Sequence, residues 1–194
     1  MVRKNGAKSS VGRPLHDATE YVLQQAREIL ARTDPDSVEA LLRLLTKSKR
    51  VFVYGAGRSG LVARAFAVRL LHLGYQTYVI GETISAPVQP TDAMLLISGS
   101  GETYPVAMSA EIARNIGAKV ASITANPNSK VASFSDIIVE MPTRDIHGER
   151  ASMAPLGTLF ETTTWTFLDG VVAELMERRK QSEEMMRQRH ATME

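Results

Sequence analysis

The stretch Ser98-Gly99-Ser100-Gly101-Glu102-Thr103 puts three hydroxyl side chains and two glycines into six residues. Hydroxyls donate hydrogen bonds, and glycines let backbone N–H groups come close to a ligand. A concave turn of this composition suits a phosphate monoester. The bland alternative is a helix cap, with one Ser or Thr accepting from the first free N–H groups and Glu102 near the positive helix end. One hydroxyl is enough for a cap, which leaves two without a task. A second glycine-rich loop, Gly55-Ala56-Gly57-Arg58-Ser59-Gly60, fits G-x-G-x-x-G. Glu82 follows at about the distance of a ribose-binding carboxylate, so a nicotinamide or flavin enzyme is a rival. Free N–H groups at a helix N-terminus attract an anion in either case. Gly57 and Ser59 are therefore candidate phosphate contacts, and Arg58 could pair with phosphate or with sugar hydroxyls. A dinucleotide fold does not need a second cradle after its third strand. The Ser98–Thr103 loop, with Ser98, Ser100 and Thr103 as donors, favours a phosphorylated small molecule.

Proton transfer needs a further group. Glu161 stands near the start of a mostly apolar stretch, between Phe160 and Thr162-Thr163-Thr164-Trp165. Apolar surroundings raise a carboxylate's basicity, but an acid in a first helical turn is also what the helix dipole favours. Glu102 is the other candidate, or it orients the phosphate loop. The histidines are His16, His72, His147 and His190. His72 lies among Leu70, Leu71 and Leu73, which fits a core or interface position as well as a catalytic one. His190, in a charged terminal stretch, reads by itself as a solvated surface residue.

The elements that must hold these residues follow from the periodicity. Leu15 to Ala31 has helical spacing, and a second helix starts after Asp34-Pro35-Asp36-Ser37. Arg50 to Tyr54, Gln76 to Ile80, Ala93 to Ile97, Lys119 to Thr124 and Ile137 to Met141 are short apolar runs of the kind that form buried strands. Helices are predicted over Ser59–Leu73, Thr103–Ile116, Ser129–Phe134 and Leu156–Met176, with Pro142–Met153 a polar loop and Arg178–Met193 one more helix. Strands alternating with helices give a parallel sheet covered on both faces, with ligands beyond the carboxyl ends of the strands. Both glycine-rich loops stand there.

Composition bounds the rest. The chain has 194 residues, enough for one domain with a real core. Its formal net charge of +2, from 23 basic and 21 acidic residues, argues against a dedicated nucleic-acid binder. No cysteine is present, so neither disulfides nor thiolate metal sites form. No apolar run is long enough for a membrane span. Residues 1–14, with Arg3, Lys4, Lys8 and Arg13, read as a disordered basic tail, and 15–194 as one domain. Methionines in the charged C-terminal stretch (Met176, Met185, Met186, Met193) suggest packing against another subunit.

The two loops together, Tyr54-Gly-Ala-Gly-Arg-Ser-Gly60 and Ser98-Gly-Ser-Gly-Glu-Thr103, resemble the sugar isomerase (SIS) domain. More narrowly, Ala67-Val-Arg-Leu-Leu-His-Leu-Gly74, Gly81-Glu-Thr83, Ala154-Pro-Leu-Gly-Thr-Leu-Phe-Glu161 and Arg189-His-Ala-Thr-Met-Glu194 are similar to the 6-phospho-3-hexuloisomerases. The resemblance runs from Leu15 to the C-terminus. It implies an α/β three-layer sandwich, flavodoxin- or Rossmann-like, with a five-stranded parallel sheet. It implies interconversion of D-arabino-3-hexulose 6-phosphate and fructose 6-phosphate through an enediol, in the cytoplasm, with no cofactor and no metal. It further implies a homotetramer, with Glu161 as base and His190 or His72 as proton relay, because tail residues in SIS isomerases can reach a neighbouring subunit's site. Other aldose–ketose phosphate isomerases and non-catalytic phosphosugar sensors share the domain.

Overall fold

Strand β1 (Arg50–Gly55) carries Val51, Phe52 and Val53, all buried, and β3 (Ala93–Ile97) is buried along its whole length. Such strands lack polar–apolar alternation because both faces of the sheet are covered. With β2 (Gln76–Val79), β4 (Lys119–Thr124) and β5 (Ile137–Glu140) they form one parallel sheet in the order β2-β1-β3-β4-β5. The computed structural model describes residues 12–143 and 148–193. Most of the basic N-terminal stretch and His147 lie outside the described residues.

The sheet separates two cores. On one face Val51, Val53, Leu95, Ile97 and Ile123 pack beneath α1 (Arg13–Arg32), α2 (Pro35–Lys47), α3 (Gly57–His72) and α7 (Thr158–Arg178). On the other, Phe52, Met94, Leu96 and Val120 pack beneath α4 (Tyr104–Ile116) and α5 (Lys130–Ser133). Between β2 and β3 the chain crosses this second face without a helix, burying Ala86 and Val88 against it. Truncating Leu95 or Leu96 to Ala would cost about 2–5 kcal/mol, the usual range for a fully buried leucine. The three-layer α/β sandwich expected from the sequence is the fold observed.

Strand order reverses between β1 and β3, so a crevice opens where the chain leaves their carboxyl ends in opposite directions. Those ends are Gly55 and Ile97, paired in register. The two glycine-rich loops therefore start side by side.

Several boundaries differ from the sequence expectation by one or two residues, and the C-terminal half differs more. The loop before α7 holds one helical turn, α6 (Arg150–Met153). Helix α7 begins at Thr158 rather than Leu156, because Leu156 takes a left-handed backbone (φ 55°). The predicted helix Arg178–Met193 is only α8 (Glu183–Arg187). Lys180 is left-handed (φ 53°), the Gln181 N–H donates to Met176 O at 2.8 Å and the Lys180 N–H to Glu177 O at 3.1 Å. That pair of bonds is a Schellman stop, normally signalled by glycine. With lysine in its place the stop does not show in the sequence.

Candidate functional site at the carboxyl ends of β1 and β3

The Ser98–Thr103 loop is pulled into a cup by its own carbonyls. Gly99 O accepts from the Ala125 N–H at 3.0 Å, and Gly101 O accepts from the Val131 N–H at 2.9 Å. Both carbonyls thus turn outward, toward β4 and α5. Gly101 is left-handed (φ 68°), and a Cβ there would stand 1.9 Å from Ser129 Oγ, so only glycine fits. Glu102 holds the loop from outside, its Oε1 accepting from the Lys130 N–H at 3.1 Å. This is the orienting role that the sequence offered as its alternative to catalysis.

The hydroxyls are arranged as donors. Ser98 Oγ accepts from the Gly101 N–H at 3.1 Å, and Ser100 Oγ accepts from the Glu102 N–H at 3.2 Å. A hydroxyl that accepts a backbone N–H keeps its own proton to give; Ser98 directs its own to Thr103 Oγ1 at 3.4 Å, which leaves the Ser100 and Thr103 protons for a ligand. Thr103 occupies the N-cap of α4 but makes no side-chain cap bond. The helix-cap explanation of these hydroxyls therefore does not hold at Thr103.

Ala56, Ser59, Ser98, Ser100, Thr103, Gly157 and Glu161 share one cleft of about 300 Å³. Three helix N-termini converge on it: α3 through Ala56 and Ser59, α4 through Ser100 and Thr103, α7 through Gly157. Each supplies free N–H groups and the positive end of a helix dipole. Among the described residues the lining has no Lys or Arg. An anion bound there is held by hydroxyls, N–H groups and dipoles. Helix α3 can press this close to β1 because Gly60 lacks a Cβ, which would stand 2.5 Å from Gly55 O.

Glu161 reaches the cleft from the first turn of α7, with its side chain only 11% exposed. Arg58 does not line the cleft. Its Nε donates to Glu161 Oε2, and the side chain as a whole remains 66% exposed. Gly57, at the start of α3, also stands outside the lining. Glu82, the carboxylate a dinucleotide ribose would require, pairs with Arg64.

His72 and His190 are brought together, but elsewhere. Their rings stack at 5.0 Å between centroids, beside a cavity of about 330 Å³ lined also by Arg69, Trp165 and Asp169. The tail is seated by Arg189, whose Nη1 donates to His72 O at 2.9 Å and to Gln181 Oε1 at 2.8 Å. A further cavity of about 360 Å³ lies between Arg58, Glu161 and Trp165. Shared residues link the three hollows into one groove between α3 and α7: Glu161 joins the cleft to the cavity beside Arg58, and Val62 and Trp165 join that cavity to the one beside the histidines. Arg58 and His72 stand about 21 Å apart along α3, at 1.5 Å per residue. The histidine pair and Glu161 of one chain therefore cannot meet on one carbon–carbon bond. The Arg58–Glu161 pairing, 103 residues apart in sequence, had no signal in either segment.

Comparison with known proteins agrees with this fold. The SIS domain matches residues 44–164. A 3-hexulose-6-phosphate isomerase of Mycobacterium gastri is 36% identical over 98% of this chain and 96% of its own length. One of Bacillus subtilis is 35% identical over 91% of this chain and 98% of its own. The crystal structure of a Methanococcus jannaschii protein, described as inferring a molecular function of 3-hexulose-6-phosphate isomerase, superposes with a TM-score of 0.79. It is 32% identical and covers 93% of this chain and 98% of that one.

Proposed function

The chain belongs to the SIS domain family, and from that premise we infer that it is a 3-hexulose-6-phosphate isomerase, interconverting D-arabino-3-hexulose 6-phosphate and fructose 6-phosphate. The observation that carries this reading is the single cleft in which Ser59, Ser98, Ser100 and Thr103 face Glu161. The hydroxyl loop and the helix N-termini grip the phosphate. Glu161, at the other wall, takes the proton from C2 of the hexulose and returns it to C3. The proton on O2 passes to O3 as the carbonyl moves from C3 to C2, so the step is redox-neutral overall. The hexulose needs no ring opening, because its C3 ketone cannot close a normal ring onto the free hydroxyls.

The relay between oxygens is assigned to the histidine pair of a neighbouring subunit. Two chains packed antiparallel along the α3–α7 groove would bring the His72 and His190 end of one beside the Glu161 end of the other. Leu61, Val68 and Trp165 stand exposed along that groove, which supports such packing. The working form is a homotetramer in the cytoplasm, where charged sugar phosphates are retained by the membrane.

The test is fructose 6-phosphate formation from ribulose 5-phosphate and formaldehyde, with a separate hexulose-phosphate synthase supplied. Turnover that depends on this protein is expected. No turnover, with thermal stabilisation by fructose 6-phosphate intact, would leave a phosphosugar site without this chemistry.

A further inference from the structure

We propose that Arg58 is a positioning residue for Glu161 rather than a ligand of the phosphate, and that Gly157 is the other half of the same clamp. Side chains on a helix lean back toward its N-terminus. Glu161 does so from the first turn of α7 and folds over Gly157, whose carbonyl accepts the Glu161 N–H at 2.9 Å. A Cβ at position 157 would stand 2.7 Å from Glu161 Oε1 and 3.1 Å from Cδ. One oxygen of the carboxylate thus rests where a side chain at 157 would push it aside. The other, Oε2, takes the Arg58 Nε–H from the first turn of α3. Arg58 holds one oxygen while the missing Cβ at Gly157 leaves room for the other, so the clamp depends on both residues.

Charge and exposure point the same way. The Arg58 side chain is mostly exposed while that of its partner is nearly buried. It is absent from the residues lining the cleft where the phosphate donors gather. An arginine directed at the phosphate would stand on the Ser98–Thr103 side. This one stands on the Glu161 side, and one ångström of misplacement at a proton-transferring group costs on the order of 100-fold in rate.

The inference rests on Glu161 being the base of the proposed isomerase. Arg58→Gln, Arg58→Lys, Gly157→Ala and Glu161→Gln are compared in the synthase-coupled assay, with fructose 6-phosphate affinity measured by calorimetry. Arg58→Gln and Gly157→Ala are expected to lower kcat by roughly 10–100-fold, with KM and fructose 6-phosphate affinity within about threefold of the parent. Arg58→Lys should recover part of kcat, since an ammonium keeps the charge but loses the planar fork. Arg58 is exposed, so its variants fold, and they decide the matter if Gly157→Ala does not. A tenfold loss of affinity with kcat preserved would make Arg58 a phosphate ligand and overturn the proposal. Unchanged constants for Arg58→Gln, beside an inactive Glu161→Gln, would overturn the clamp alone. A fully active Glu161→Gln would remove the base on which the clamp rests.

Discussion

Glu161 and Ser100 face each other across one cleft, and replacing each should separate chemistry from binding. Glu161→Gln keeps the shape and the hydrogen bonding but loses the basic oxygen. It should lower kcat by about 10²–10⁴-fold, the usual share of general acid–base catalysis, while fructose 6-phosphate still binds in calorimetry. Ser100→Ala should act oppositely. A hydrogen bond to a charged partner is worth about 1.5–3 kcal/mol, so affinity should fall at least about tenfold, read as a smaller thermal shift with fructose 6-phosphate. That Ser98, Ser100 and Thr103 stand together was legible, because three hydroxyls between glycines exceed what a helix cap requires. The Arg58–Glu161 pair was not. Each residue alone looks like an ordinary first-turn residue of its helix, and only the packing of α3 against α7 gives them to each other.

At the scale of elements, legibility followed burial. Strands β1, β3 and β4 were read from apolar runs because the sheet is covered on both faces and nothing else competes for those residues. The C-terminal stretch was misread because its stop depends on a backbone conformation that lysine adopts at a cost. That cost can be measured. A left-handed backbone is unfavourable by about 1–2 kcal/mol for a residue with a Cβ. Lys180→Gly should therefore raise stability by about 1 kcal/mol in urea denaturation. A neutral or negative effect would mean that the lysine side chain stabilises the turn. Strand β5 provides a pH-dependent contact at the sheet edge. Burial raises the Asp136 carboxyl, but the Lys119 ammonium, the Val120 N–H and Arg114 outweigh it and hold it below the ordinary carboxylate range. A depressed carboxyl contributes stability above its unfolded pKa and loses it as pH falls through the folded one. Asp136→Asn should thus be less stable than the parent at neutral pH. The gap should close below about pH 4, near the unfolded value of an aspartate, in denaturation midpoints taken across that range.

For the whole molecule, the groove between α3 and α7 poses a question of assembly. It carries Glu161 at one end, the stacked His72 and His190 at the other, and exposed Leu61, Val68 and Trp165 between. A surface that repeats the same patch on both partners is what a two-fold contact uses. Pairing two such grooves antiparallel would bury the apolar middle and create two equal sites, each with Glu161 from one chain and histidines from the other. Leu61→Glu with Val68→Glu places charge in that middle and should lower the sedimentation coefficient to that of a smaller species. Sharing between chains has a sharper signature. Glu161→Gln and His190→Ala should each be nearly inactive as pure proteins. Co-expressed in one cell, they form mixed assemblies in which random two-fold pairing leaves roughly a quarter of the sites with both native groups. Activity should return to about that fraction in mixed assemblies purified by two different tags. If the mixed protein stays as inactive as its parents while Glu161→Gln and His190→Ala are each confirmed to fold and associate, the two groups do not meet across the contact. The histidine pair would then serve only to seat the C-terminal tail on α3.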